Sequence, residues 1–266
     1  MEDLMMNYDY QNFLVELRED GIVVITASRP EKLNAMNELA WQELGDFFAR
    51  ADHDPAIRVI ILTGAGDKAF IAGADISALA KKTGVTALAS QAYQYVTRIE
   101  TCSKPVIAAV NGYAFGGGFE IAMGCDFRIC SENAVFALPE TGLGIIPGSG
   151  GTQRLSRLTG MARAKEIIML GRKLNAQEAL QWGIVTRCVP REALMEEAFR
   201  MAGHLMEKGP IALNVAKKLI RASLSCDMDL GLVMENMGLG ILCASEDKQE
   251  GLNSFLEKRK PEYRGK

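Results

Sequence analysis

The chain has 266 residues, 48% of them hydrophobic and 24% charged, with a formal net charge of −3. At roughly 150 residues per domain, this is one large domain, or one with a small appendage, with apolar material for a sizeable core. No basic excess asks for nucleic acid or an anionic membrane, although local Lys and Arg can still hold an anionic ligand. The start, Met1-Glu2-Asp3-Leu4, is acidic and lacks the basic and apolar regions of a signal peptide. No uninterrupted apolar run reaches about 18 residues, so no membrane span is expected. The most apolar stretch, Val106 to Phe115, is broken by Asn111 and Gly112. The six cysteines are scattered, form no C-x-x-C, and have only His53 and His204 as potential co-ligands. The expectation is reduced, mostly core thiols in a cytoplasmic protein, with no metal and no catalytic cysteine.

In chain order, Phe13 to Leu17 and Ile22 to Thr26 flank Glu19-Asp20-Gly21, a hairpin signal. Asn37 caps a helix whose apolar positions Ala40, Trp41, Leu44, Phe47, Phe48 and Ala51 recur at steps of three and four. Val59 to Thr63 is a β-branched run typical of a buried strand. Ala69 to Ala72 follows, leading into Gly73-Ala74-Asp75. A helix near Ala89 to Glu100 precedes a second buried strand over Lys104 to Val110. Three glycines, Gly116 to Gly118, then open a helix from Phe119 to Gly124. Asp126 to Cys130 and Ala134 to Ala137 read as strands. Alternation of strands and helices with long crossovers favours parallel pairing. From about Thr152 the pattern is mostly helical, punctuated by Gly160, Gly171 and Gly183. Pro210 suits a first helical position. Helices are expected over Ile211 to Ala222, Asp227 to Cys243 and Asp247 to Lys258.

Three features can carry chemistry. In Ala69 to Ile76, an apolar strand ends in small residues that let a ligand approach the backbone, and Asp75 can cap the next helix; taken alone, these residues favour a plain tight turn. In Asn111 to Glu120, a strand runs into glycines and then a helix, so exposed N–H groups at the helix start can receive an anionic oxygen. Close helix-to-sheet packing is the alternative. Neither a P-loop nor a dinucleotide fingerprint is present. The third feature is a carboxylate pair: Glu120 sits in an apolar helix and Glu140 follows Phe136-Ala137-Leu138-Pro139. Desolvation there would raise a carboxyl pKa toward neutrality and suit it to acid–base work; ordinary partly exposed glutamates are the bland reading. Gly148-Ser149-Gly150 is not G-x-S-x-G, and two histidines leave little for a hydrolase triad.

Taken in order, these segments resemble the enoyl-CoA hydratase (crotonase) family over nearly the whole chain. The likeness rests on Arg29-Pro30-Glu31-Lys32-Leu33-Asn34-Ala35-Met36, Ala72-Gly73-Ala74-Asp75-Ile76, Lys104 to Gly112, and Gly116-Gly117-Gly118-Phe119-Glu120. It continues through Leu138-Pro139-Glu140, Gly142 to Gly148, Gly150-Gly151-Thr152-Gln153-Arg154-Leu155 and Phe255-Leu256-Glu257-Lys258-Arg259. The resemblance implies an α/β, crotonase-like (ClpP/crotonase) superhelix of ββα units. It implies a spiral core over 1–205 and a helical trimerisation region over 206–266, assembled as a homotrimer or a dimer of trimers. It implies an acyl-CoA thioester substrate, coenzyme A being part of that substrate, with no separate cofactor, metal, nucleic acid or membrane partner.

By the family motif, the amides of Ala74 and Gly117 form an oxyanion hole around the thioester carbonyl. Adding a nucleophile at C3 pushes charge onto that oxygen, and losing one such donor typically costs about 3–4 kcal/mol in barrier. Glu120 matches the acid that activates water for attack at C3, and Glu140 the one that protonates C2. Ala72, Asp75, Ile76 and Ser77 match the path of the thioester and pantetheine. Phe255 and Lys258 match a tail that reaches a neighbour's CoA adenine or phosphate; a solvated surface lysine is the alternative for Lys258. Retention of both acids favours hydration of a short-chain 2-enoyl-CoA over isomerisation. Phe119 and Ala137, where short-chain hydratases often carry Cys and Gly, look more like crotonobetainyl-CoA hydratases; Ala74 looks like the ordinary hydratases. A non-catalytic, RNA- or partner-binding relative is disfavoured by both acids and by the negative net charge.

Overall fold

A computed structural model describes residues 8–266; the acidic Met1 to Leu4 segment lies outside the described residues. Strands β1 (Phe13–Leu17) and β2 (Ile22–Ala27) pair antiparallel across Gly21, as the hairpin signal requires. Helix α1 (Glu38–Ala51) starts where the Asn37 side chain accepts the Ala40 N–H at 2.7 Å, and its apolar stripe is buried. β3 (Val59–Gly64), β4 (Ala69–Ile71), α2 (Ile76–Leu79), α3 (Gly84–Leu88) and α4 (Ala92–Thr101) follow. Then come β5 (Val106–Val110), β6 (Tyr113–Phe115), α5 (Gly117–Gly124), β7 (Phe127–Ser131) and β8 (Val135–Ala137). The chain continues through α6 (Gly151–Thr159), α7 (Met161–Met169), β9 (Leu174–Asn175), α8 (Ala176–Gln181), β10 (Arg187–Val189) and α9 (Leu194–Met206). It closes with α10 (Pro210–Ala222), α11 (Met228–Cys243) and α12 (Glu246–Glu257).

The strands divide between two sheets. One runs β1-β2-β3-β5-β7-β10, the other β4-β6-β8-β9. Each turn of chain contributes one strand to the first sheet, the next strand to the second, and then helix: β3, β4 and α2 to α4; β5, β6 and α5; β7, β8 and α6. This is the expected superhelix of ββα units. Pairing from β2 through β3, β5 and β7 is parallel, and β3 and β5 are buried along their whole length.

The broken apolar stretch Val106 to Phe115 turns out to be two strands in different sheets. Asn111 makes the transfer: its Nδ2 donates to the Gly64 carbonyl at 2.8 Å. Gly112 must be glycine there, because a methyl group would meet the Lys68 carbonyl oxygen at 2.2 Å. Two strands escape the sequence pattern. β9 pairs antiparallel with β8, and β10 extends the first sheet with Cys188 opposite Cys130. Two or three residues are too few to show a period.

The main core fills the space between the sheets and helices. A second apolar layer lies on the outer face of the first sheet, where Leu194, Ala198 and Ala202 of α9 cover Ile22, Val24, Ile61 and Ile107. Beyond α9, Lys217 of α10 is tied to the body by a 2.7 Å ion pair to Asp126 and a bond to the Lys104 carbonyl. α11 leaves Leu230, Leu232, Val233, Met237, Leu239 and Ile241 exposed. Among the described residues no helix is long and apolar enough to cross a membrane.

The second sheet places the site. β4, β6 and β8 are parallel neighbours, so their C-terminal ends leave the sheet side by side, roughly 5 Å apart. The exits are Gly73-Ala74, Gly116-Gly117 and Pro139-Glu140. Helix α5 then lies directly on β4, because Gly118 has no side chain: a methyl there would come within 1.9 Å of the Ile71 carbonyl oxygen. Gly118→Ala is therefore expected to cost about 1–3 kcal/mol or more, lowering the melting temperature by several degrees in a calorimetric scan. A wild-type melting temperature would show that α5 has room to lift.

Candidate active site

Two backbone amides face the space between the exits of β4 and β6. Gly73, at φ +99°, gives its carbonyl to the Met36 N–H at 2.8 Å, and the Asp75 N–H donates to the Met36 carbonyl at 2.9 Å. These bonds flank Ala74 and turn its own N–H away from Met36. On the other side, the Gly116 N–H donates to the Ala137 carbonyl, and Gly116 at φ +50° redirects the chain so that Gly117 opens α5. A helix's first N–H groups have no acceptor within the helix. Among the described residues, neither the Ala74 nor the Gly117 N–H has a protein acceptor. The two exits touch: a methyl on Gly116 would lie 3.8 Å from the Gly73 Cα. Trp41 packs against this turn, its ring within 3.0 Å of where a Gly117 methyl would be.

The same Gly116 position would meet Oε1 of Glu140 at 2.7 Å, which puts this carboxyl against the amide pair. Burial pushes the Glu140 carboxyl up to about 7, and the nearby negative charge of Glu120 adds to the rise. Its Oε2 is buried and receives no hydrogen bond from the protein among the described residues. A buried carboxylate oxygen without a donor is costly, and protonation relieves it.

Glu120 is 2% exposed and is treated differently. Burial raises its pKa too, but Oε1 accepts the Ser149 and Gly151 N–H groups, each at 2.7 Å, and the Arg154 cation opposes the rise. The two acids face each other with unequal support. One carries two charge-assisted hydrogen bonds; the other has an orphan oxygen. This is the arrangement of a proton acceptor opposite a proton donor.

The remaining candidates separate into three groups. Asp75 caps α2 as expected, its Oδ1 accepting the Ser77 N–H at 3.0 Å and hydroxyl at 2.6 Å, with Arg29 at 3.5 Å from Oδ2. Asp75 and Ser77 therefore shape the turn after Ala74. Ala72 donates its N–H to the Leu33 carbonyl, and Ile76 stands exposed at the mouth. Phe255, 80% exposed, and Lys258, in the left-handed conformation that ends α12, sit in a tail held together by its own bonds. Those bonds join Arg259 to Glu250 and Asp247 to the Arg264 and Gly265 amides. No bond connects Phe255 or Lys258 to the acids among the described residues. Nor do these residues include a cluster of three His, Cys, Asp or Glu side chains able to hold a metal ion.

The turn that holds Glu120, Ser149 to Gly151, is not legible as an acid's cradle from the sequence, where it reads only as a failed nucleophile motif. Its signal is a pair of glycines opening a helix. Gly150 stands at φ +107°, and a methyl on Gly151 would come within 3.1 Å of Glu120 Oε1. Phe119 is fully buried with its ring 5.3 Å from that of Phe136, so it supports α5 from beneath.

Comparisons with known proteins span nearly the whole chain. The family model for enoyl-CoA hydratase/isomerase matches residues 17–266. The chain is 42% identical over 256 residues to a crotonyl-CoA hydratase of Syntrophomonas wolfei, covering 96% of this chain and 98% of that protein. It is 42% identical over 254 residues to a carnitinyl-CoA dehydratase of Citrobacter koseri, covering 94% and 97%. A crystal structure of an enoyl-CoA hydratase from Bacillus anthracis superposes with a TM-score of 0.93 at 41% identity, covering 96% of this chain and all of that one.

The raised pKa of Glu140 has a consequence for stability. Its folded value of about 7 lies above the ordinary 4.5, so the folded state binds the proton more tightly and loses stability as pH rises through that window. Glu140→Gln removes the cost. The variant should melt higher than wild type above about pH 7, with the gap closing below about pH 4.5. A gap that stays constant with pH, or favours wild type at high pH, would contradict the assignment.

Proposed function

The chain belongs to the enoyl-CoA hydratase/isomerase family, and we propose that its site adds water across the 2,3-double bond of a short-chain 2-enoyl-CoA, and reverses that addition, as a hydro-lyase. The observation that carries this is the facing pair of glutamates beside two unpaired amides. The Ala74 and Gly117 N–H groups receive the thioester carbonyl oxygen. Polarised by them, the conjugated C3 becomes electrophilic, and the charge that develops on oxygen as water adds is met by donors already in place. Glu120, held by the Ser149 and Gly151 amides, is the better candidate for the ionised base. It takes the proton from the water attacking C3. Glu140, whose carboxyl keeps its proton up to about pH 7, delivers one to C2. In this reading both acids serve one face of the acyl plane, so hydroxyl and proton arrive on the same face, a syn addition.

Ala72, Ile76 and the turn capped by Asp75 and Ser77 lead outward from the amides, and the thioester and pantetheine arm follow them. The substrate brings its own coenzyme A, so the reaction calls for no further cofactor. Phe255, exposed at the end of α12, and Lys258 serve the CoA arm bound by a neighbouring subunit. The exposed apolar face of α11 supports a homotrimer or a dimer of trimers, with residues 206–266 as the oligomerisation region beside a core over 1–205. The reading places the enzyme in the cytoplasm.

One observation favours a second substrate within the same chemistry. The buried Phe119 and Ala137 pattern, together with the similarity to the carnitinyl-CoA dehydratase, fits hydration of crotonobetainyl-CoA. Isomerisation of a 3-enoyl-CoA is the other reaction open to this fold.

The purified protein is expected to bleach the ultraviolet absorbance of crotonyl-CoA, and Glu140→Gln to lower kcat by about 10³-fold or more. Parallel assays with crotonobetainyl-CoA and a 3-enoyl-CoA rank the alternatives, and a folded wild type inert toward crotonyl-CoA would overturn the reading. The kcat/KM profile should be bell-shaped. Its alkaline limb, set by loss of the Glu140 proton, should begin near pH 7.

A further inference from the structure

The guanidinium of Arg154 is held against the turn that cradles Glu120. Its Nη1 donates to the Ser149 carbonyl at 2.8 Å, and its Nη2 to Glu100 Oε2 at 2.9 Å and Thr97 Oγ1 at 3.3 Å. Only 16% of its side chain is exposed. The fit against the turn is close: a methyl on Gly150, which stands at φ +107°, would fall 1.9 Å from Nη1 and displace the guanidinium. Ser149 is the pivot. Its carbonyl is gripped by Arg154 while its N–H grips Glu120 Oε1. Glu100 sits on α4, a separate helix packed on α5, and is shared with Arg221 of α10 at 3.6 Å. A chain of bonds therefore runs from α4 through Arg154 and the Ser149–Gly151 turn to the carboxylate.

We infer that Arg154 is a positioning residue for this reaction: anchored by Glu100, it fixes the Ser149–Gly151 turn whose two amides orient the Glu120 carboxylate toward the attacking water. The inference rests on the hydratase reading given above. Arg154 itself touches neither substrate nor the reacting atoms. Its effect is twofold. Bond geometry holds the amides on target, and the positive charge favours the ionised form of Glu120.

The charged and titratable groups around Glu120 leave Arg154 as its nearby cation. Glu140 faces it with the same sign. β4 has no titratable side chain and β6 has only Tyr113, which is exposed. On α4, Arg98 points away to the Gly45 carbonyl, and Glu100 reaches Glu120 only through Arg154. Removing Arg154 therefore leaves a buried carboxylate beside another carboxylate with a loosened turn. Because the ionised form loses support, the pKa of Glu120 rises, and the acid limb of the activity profile moves to higher pH.

The test compares Arg154→Met, Arg154→Lys and Glu100→Gln with wild type, measuring kcat and KM for crotonyl-CoA, the pH profile of kcat/KM, and melting temperature. Arg154→Met is expected to lower kcat by about 10- to 100-fold, to change KM by less than about threefold, and to move the acid limb up by about one pH unit. Arg154→Lys restores the position of the acid limb but only part of kcat, since the ammonium keeps the charge and loses the fork. Glu100→Gln lowers kcat severalfold. A folded Arg154→Met with the wild-type acid limb would make the residue merely structural and sink the inference. Should Arg154→Met fail to fold, a Glu100→Gln variant unchanged in both kcat and acid limb would sink it equally. If wild type itself does not hydrate crotonyl-CoA, the functional reading falls alone. The inference is then decided by a carboxyl-carbon NMR titration of Glu120 in the ligand-free protein: an upward pKa shift in Arg154→Met that Arg154→Lys reverses, or an upward shift in Glu100→Gln where Arg154→Met does not fold, supports it, and unchanged titration in these variants overturns it.

Discussion

The parallel pairing of β4, β6 and β8 is the constraint on which the site depends. Three short strands of three residues each would be negligible alone, yet their register delivers Gly73-Ala74, Gly116-Gly117 and Pro139-Glu140 to one edge of one sheet. Strand spacing then sets how far apart the two amides and Glu140 lie. Glycine makes the spacing usable. At Gly118 the helix can rest on the Ile71 carbonyl, and at Gly116 the chain turns through a left-handed conformation with Glu140 packed against it. A side chain at either position would push apart groups that must share a single carbonyl and a single double bond.

The second theme is unequal compensation of two buried acids. Both carboxyls have lost water, and that loss alone would leave both protonated. Two amides and the charge of Arg154 oppose the upward pull of burial at Glu120, whereas Glu140 Oε2 has no protein donor among the described residues. The difference between the two carboxyls is thus supplied by the backbone of the Ser149–Gly151 turn rather than by residue type. It also carries a stability penalty at Glu140, of the kind common where a fold holds a group ready for chemistry.

The two sheets divide the labour. The first, with β3 and β5 buried on both faces and α9 sealing its outer side, supplies cohesion. The second is small and carries the exits. Asn111 and Gly112 link them, moving the chain from one sheet to the other within two residues. The C-terminal helices stand apart from this division. α10 is pinned by the Lys217–Asp126 pair, but α11 turns a broad apolar face outward.

Much of this was legible in the amino-acid order. Periodicity and capping located the hairpin, α1, the buried strands and the three C-terminal helices, because those elements are long enough for a repeat to show. The small-residue run before Asp75, the three glycines and the two glutamates were visible as chemistry-bearing residue types, and their order carried the family likeness. Short elements were not legible: β9 and β10 have two and three residues, and the break at Asn111 hides that Val106 to Phe115 serves two sheets. Nor could the sequence state that Ser149 and Gly151 hold Glu120, 29 and 31 residues away, or that Glu100 on another helix anchors Arg154. Local pattern fixes what each segment is able to form. Which carboxylate meets a donor and which is left without one is a matter of distances between segments remote in sequence, and only the packed chain decides those.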